Sequence, residues 1–170
     1  MGAYAALPKI SEHDTQRSVV QWCALARTRY PMLAWLYAIP NAGKRSLGAY
    51  AHMRAEGLRP GIPDLCVPAP VGAFGAGYIE HKAKDNKPSD AQMSAMRALA
   101  HMGNAVTVSY SFEKSRQWLV AYACGADITA ISHADIPYAD VRAFVAELDA
   151  IMRHRMAGKE YGNVGDLALA

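Results

Sequence analysis

Two acids and a lysine stand out by type and spacing. Asp64 closes the run Gly61-Ile-Pro-Asp64, and Ile79-Glu80-His81-Lys82 follows, with its acid sixteen residues further on. Two carboxylates that share an open side suit a hard divalent cation. Mg²⁺ in particular takes a few carboxylates, several waters and the oxygens of a phosphate. In an extended chain Glu80 and Lys82 share one face, while Ile79, His81 and Ala83 share the other. The Lys82 ammonium would then face the cation, where it can hold an attacking water or steady charge on a phosphate. The His81 carbonyl lies between them as a further ligand, with its imidazole turned away.

Each of these residues also has a plainer reading. Glu80 and Lys82 could be a surface ion pair, worth under about 1 kcal/mol. Asp64 could merely shape the turn after Pro63. Ser89-x-x-Gln92 has the form of a capping box, which accounts for Gln92 without chemistry. Glu12 sits where a helix N-terminus favours negative charge.

The elements that would carry these residues can be read from capping signals and apolar spacing. Ser11 caps a first helix with Asp14 three residues on, and Val19, Val20, Cys23, Leu25 and Ala26 form its stripe. That helix should end at Tyr30-Pro31. Residues 34–39 read as a buried strand, 46–56 as a helix closed by Gly57, and 64–67 and 78–83 as strands. A helix runs from Ser89 to Gly103, a strand over 105–110, and a helix over 112–123. A polar connector (124–137), an amphipathic helix (138–156) and a frayed tail complete the chain.

Composition narrows the class. The chain has 170 residues, of which 52% are hydrophobic and 19% charged, so a globular fold is expected rather than a disordered one. The net charge is +3. Residues 1–60 hold eight basic and three acidic side chains, so the front of the chain is the better face for a polyanion. Lys44, Arg45, Arg59, Lys84 and Lys87 are candidate phosphate contacts. Cys23, Cys66 and Cys124 lack zinc-ligand spacing and are expected as buried free thiols. His13, His52, His101, His133 and His154 are expected at the surface or at helix ends, and Trp22, Trp35 and Trp118 in the core. The N-terminus lacks the pattern of a secretory signal, and no apolar run reaches about 18 residues, so no membrane span is expected.

Five stretches in order carry a resemblance: Ile39-Pro-Asn-Ala-Gly43, Glu56-Gly-Leu-Arg-Pro-Gly-Ile-Pro-Asp-Leu65, Ile79-Glu-His-Lys82, Ser89-Asp-Ala-Gln92 and Gly103-Asn-Ala-Val106. Over roughly residues 11–123 the chain resembles the PD-(D/E)XK nuclease superfamily, and within it the virus-type replication-repair nuclease (VRR-NUC) domain. The resemblance implies an α/β chain with a mixed sheet: a restriction-endonuclease-like αβββαβ core with an extra C-terminal helix. The expected division is an N-terminal arm (1–10), the nuclease domain (11–123), and a connector, helix and tail (124–170).

The resemblance also implies Mg²⁺-dependent hydrolysis of DNA phosphodiesters, with Mn²⁺ able to substitute and a 5′ phosphate on the product. Asp64 and Glu80 are then metal ligands, His81 lends its carbonyl, Lys82 is the catalytic lysine and Gln92 lies near the reaction. Glu12 is the candidate for an acid on the first helix, with Asp14 close by. Asn41-Ala-Gly43, with Lys44 and Arg45, stands for the family's glycine-rich stretch. Stand-alone members resemble junction-resolving enzymes that act on branched DNA as two-fold dimers, and the amphipathic last helix could supply the dimer contact or pack on its own domain. A Holliday-junction-resolvase-like endonuclease in the cytoplasm of a bacterium or phage-infected cell is therefore expected, serving repair or recombination. The alternatives are a flap, nicking or single-strand nuclease of phage replication or repair, and a non-catalytic DNA-binding module.

Overall fold

The computed structural model describes residues 11–40 and 47–158. The N-terminal arm, Asn41-Ala-Gly43, Lys44, Arg45 and the tail from residue 159 lie outside the described residues. Helix α1 (Glu12–Ala26) starts at the expected Ser11 cap. The Ser11 hydroxyl accepts from the Asp14 amide at 3.1 Å while the Asp14 carboxylate reaches back to the Ser11 amide. Strand β1 (Tyr37–Ala38), helix α2 (Leu47–Ala55), strands β2 (Leu65–Val67) and β3 (Gly77–His81), helix α3 (Asp90–His101), strand β4 (Ala105–Ser109) and helices α4 (Phe112–Ala123) and α5 (Ala139–Met156) follow. The sheet order is β1-β2-β3-β4, with β1, β2 and β3 antiparallel and β3 parallel to β4. The parallel pair needs a crossover, and α3 is that crossover.

Alternation along β3 assigns its two faces. Gly77 and His81 look toward α4: a Cβ on Gly77 would lie 3.1 Å from Trp118, and His81 meets Ser115. Glu80, one residue out of phase, meets Gln92 of α3. Helix α1 packs with α4 on one side, and α5 packs with α3 and β4 on the other. A single apolar cluster runs through both sides, from Val19 and Cys23 of α1 to Leu148 and Met152 of α5.

Four expectations are corrected. Residues 34–39 do not form a buried strand. Pro31 starts a 3₁₀ turn over Pro31–Trp35, and only the two-residue, exposed β1 follows. Proline suits a first helical position, and a short apolar run does not distinguish strand from turn. In consequence Trp35 is 73% exposed rather than in the core, whereas Trp118 is buried and Trp22 half-buried. Cys124 is exposed just past the end of α4, while Cys23 and Cys66 are buried, and burial pushes the Cys23 thiol up to about 12. His133 is neither at the surface nor at a helix end, because its ring is drawn 2.5 Å from buried Asp149 of α5.

Candidate active site

The site forms where β2 and β3 emerge beside the start of α1. Pro63 and Asp64 precede β2, and the Asp64 carbonyl accepts the Ile39 amide at 2.8 Å, which ties this end of the strand to the chain leaving β1. Gly61 makes the approach possible. It sits at φ +85°, and a Cβ there would lie 2.4 Å from the Ala91 carbonyl in the first turn of α3. A bare backbone at residue 61 therefore lets the Asp64 loop close against the helix that carries Gln92.

Carboxylate oxygens of Glu12, Asp64 and Glu80 lie within 4.8 Å of one another, although the residues come from three separate elements. The Asp64 carboxylate accepts the His81 amide at 2.8 Å, so β3 fixes its position. The Lys82 ammonium donates to Glu80 Oε1, to Glu12 Oε1 at 3.4 Å and to the His81 carbonyl at 3.1 Å. Gln92 Nε2 donates to the same Glu80 Oε1. Two donors thus crowd one oxygen, while Glu80 Oε2 is buried with no hydrogen-bond partner.

The electrostatics follow from that crowding. Glu80 is fully buried, and burial, with Asp64's charge beside it, pushes its carboxyl up to about 8. Burial alone would lower the Lys82 ammonium, but the charge and hydrogen bond of Glu80, with Glu12 and Asp64, hold it above its ordinary value. Three acids against one lysine leave the pocket short of positive charge. A buried carboxylate oxygen without a donor marks where the missing charge belongs. Oxygen donors alone, converging from three elements, fit a hard divalent cation.

Gln92 makes the capping contacts and a contact to Glu80 at once. Its amide accepts a place in the Ser89 capping box, with Ser89 N–H to Gln92 Oε1 at 2.9 Å, while its Nε2 orients Glu80. The other face of β3 anchors the site. Ser109 donates to the Ser111 carbonyl, Ser115 donates to Ser109 at 2.8 Å, and that proton order leaves His81 Nε2 to donate to Ser115 at 3.0 Å. Burial, with Lys82 nearby, depresses His81 to about 4, so the ring is neutral.

No family model and no curated protein matches the sequence. Among solved structures, the chain is similar to one named "VRR_NUC domain protein", with 20% identity, a TM-score of 0.59, and coverage of 70% of this chain and 93% of that one. This chain has the fold of a VRR-NUC domain.

The mixed four-stranded sheet of that VRR-NUC fold is the restriction-endonuclease-like α/β architecture that the sequence leads one to expect. It brings Glu12, Asp64, Glu80, the His81 carbonyl, Lys82 and Gln92 into one pocket. The basic residues are less united. Arg59 is exposed beside a separate hollow with Ile39, Pro40 and Met53, and Lys84 is exposed just beyond Lys82. Lys87 points to α5 instead, pairing with Asp140 at 2.8 Å and lying 4.7 Å over the Tyr138 ring. Phosphate contact by Lys87 would require breaking that pair.

Sequence reading missed a second wall of the pocket. A cleft of about 540 Å³ opens on Lys82 between α1, the residues after β3, and the β4–α4 turn. Its lining residues lie at three distant places in the chain, and no local spacing marks them.

Proposed function

We propose that this protein is a divalent-metal-dependent DNA endonuclease that hydrolyses phosphodiester bonds, acting on branched DNA. The observation that carries the reading is the convergence of three acids with one lysine around a buried, unpartnered Glu80 oxygen. Asp64, Glu80 and Glu12 would hold Mg²⁺ or Mn²⁺, with the His81 carbonyl beside them. When bound, the ion supplies Lewis acidity toward a phosphate oxygen and lowers the pKa of a water.

This chain's residues do the rest. Gln92 holds the Glu80 carboxylate in one orientation, and the His81 amide does the same for Asp64. The Lys82 ammonium, already charged in this setting, orients the water and offsets charge that gathers on phosphorus. In-line attack would leave a 5′ phosphate and a 3′ hydroxyl.

The choice of a branched substrate rests on the family resemblance read from the sequence. Symmetric cutting of a four-way junction needs two sites, and a two-fold dimer supplies them. Helix α5 is a poor source of that contact, since Val141, Phe144, Val145, Leu148 and Met152 are buried in their own core. Among the described residues no helix is long and apolar enough to cross a membrane.

The test is a panel of labelled linear, nicked, flap and four-way DNAs incubated with and without Mg²⁺. Metal-dependent cutting that favours four-way DNA supports the reading. Cutting confined to flaps, nicks or single strands would replace the substrate, and binding without cutting under any divalent ion would replace the enzyme with a DNA-binding module.

A further inference from the structure

We propose that the cleft beside Lys82 is a nucleobase pocket, which takes one unpaired base from a nucleotide flanking the scissile bond. The proposal rests on the nuclease reading and adds what the substrate must look like at the cut.

The cleft holds about 540 Å³, within the roughly 300–1,000 Å³ of small-molecule sites. Its walls are chemically suited to a base. Phe112 and Ala83 offer apolar surface, and Tyr110 adds a ring whose hydroxyl is already donated to the Asn86 carbonyl at 3.0 Å. Thr15 and Ser18 line it from α1. Their hydroxyl protons are committed to the Ser11 and Asp14 carbonyls, so their oxygens present lone pairs to a base edge. A flat ring with apolar faces and donor edges matches that part of the lining, while Lys82, Lys84 and Asp85 complete the wall.

Position supplies the second argument. Lys82 belongs both to the acid cluster and to the wall of the cleft. A phosphate seated at the acids therefore has its attached sugar and base at the mouth of the cleft. Exposed Lys84 stands on the rim, where the next phosphate would pass. A base stacked and paired in a duplex does not reach into a cleft between α1 and the β4–α4 turn, so the nucleotide must be unpaired or extruded. The pocket thus selects for DNA that is already open at the cleavage point, as it is where a branch meets a duplex.

The test uses the purified full chain and strands carrying a single abasic nucleotide at successive positions around the cut. Loss of one flanking base should slow Mg²⁺-dependent cleavage about tenfold, the scale of one base–aromatic stack. Ser18→Trp fills the cleft from an exposed position on α1, outside the acid cluster. It should cut the intact strand more slowly and treat intact and abasic strands alike. Cleavage indifferent to every abasic position, or a wild-type rate in Ser18→Trp, overturns the pocket and leaves the nuclease reading standing. In Ca²⁺, 2-aminopurine at the sensitive position reads base entry without cutting. A chain that cuts no DNA but gives that signal, lost in Ser18→Trp, loses the nuclease reading and keeps the pocket.

Discussion

Two buried polar clusters in this molecule have opposite charge accounts. Around Glu80, three carboxylates meet one ammonium and an inner oxygen has no donor. Around the connector, buried Lys114 of α4 donates to the Ser132 carbonyl and lies 3.9 Å from Asp135, while Asp149 of α5 is paired with His133. The second cluster sets Lys114 against Asp135 and His133 against Asp149, and its one unpartnered buried side-chain atom among the described residues is His133 Nδ1. The difference separates a cluster that closes on itself from one that needs something from outside. Burying ionised groups is costly, so an unbalanced set is relieved by a proton, as the upward push on Glu80 shows, or by a bound cation.

The sharpest way to break the comparison is to truncate each cluster. Glu80→Ala or Lys82→Ala should lower cleavage by about 10²–10³-fold or more, with folding kept, as read by single-turnover assays and circular dichroism. Lys114→Met should do the reverse: cleavage intact, and stability down by about 1–3 kcal/mol in urea, since the Ser132 carbonyl is left unpaired. Full activity in Lys82→Ala would remove that lysine from the chemistry.

Metal and pH sharpen it further. The Glu80 carboxyl binds its proton more tightly folded, at about 8, than unfolded, at its ordinary 4.5. Its contribution to stability is thus fully present below pH 4.5 and is lost as pH rises through about 8. Chelated protein should therefore lose Tm across that window. Mg²⁺ should restore more Tm at the alkaline end, where the carboxylate is free to bind it, and Glu80→Gln should flatten the slope and abolish the Mg²⁺ effect. A Mg²⁺ response equal in wild type and Glu80→Gln would place the ion elsewhere.

Smaller effects test the supports. Gly61→Ala forces a Cβ against the Ala91 carbonyl at a left-handed φ, and should cost about 1–3 kcal/mol and depress cleavage together. Ser89→Ala removes the α3 cap for about 1 kcal/mol, and a rise in KM or loss of kcat beyond wild type would show Gln92 slackening its hold on Glu80.

Much of the site was legible because its parts are local. Ser11 with Asp14 and Ser89 with Gln92 are spaced by a helical turn, and the two-residue period of β3 separates Glu80 and Lys82 from His81. What stayed hidden is set by distant partners. The run from Ala34 to Ile39 is apolar enough for a core strand, yet it lies at the sheet edge, where Trp35 has nothing above it to bury against among the described residues. Lys114 carries no signal in the sequence, and its burial comes with the return of residues 132–135 over α4. The cleft beside Lys82 exists only once α1 and the β4–α4 turn are brought together.

Strand β3 is locked to β4 with Glu80 opposite Val108 and His81 opposite Ser109. Each step of one residue along that ladder would rotate the imidazole into the acid pocket and the acid into the serine pair beneath α4. The strand therefore tolerates no single insertion or deletion, and length changes in relatives should collect in the hairpin-side segment between Pro68 and Ala76, where the chain can lengthen without turning the chemistry inside out.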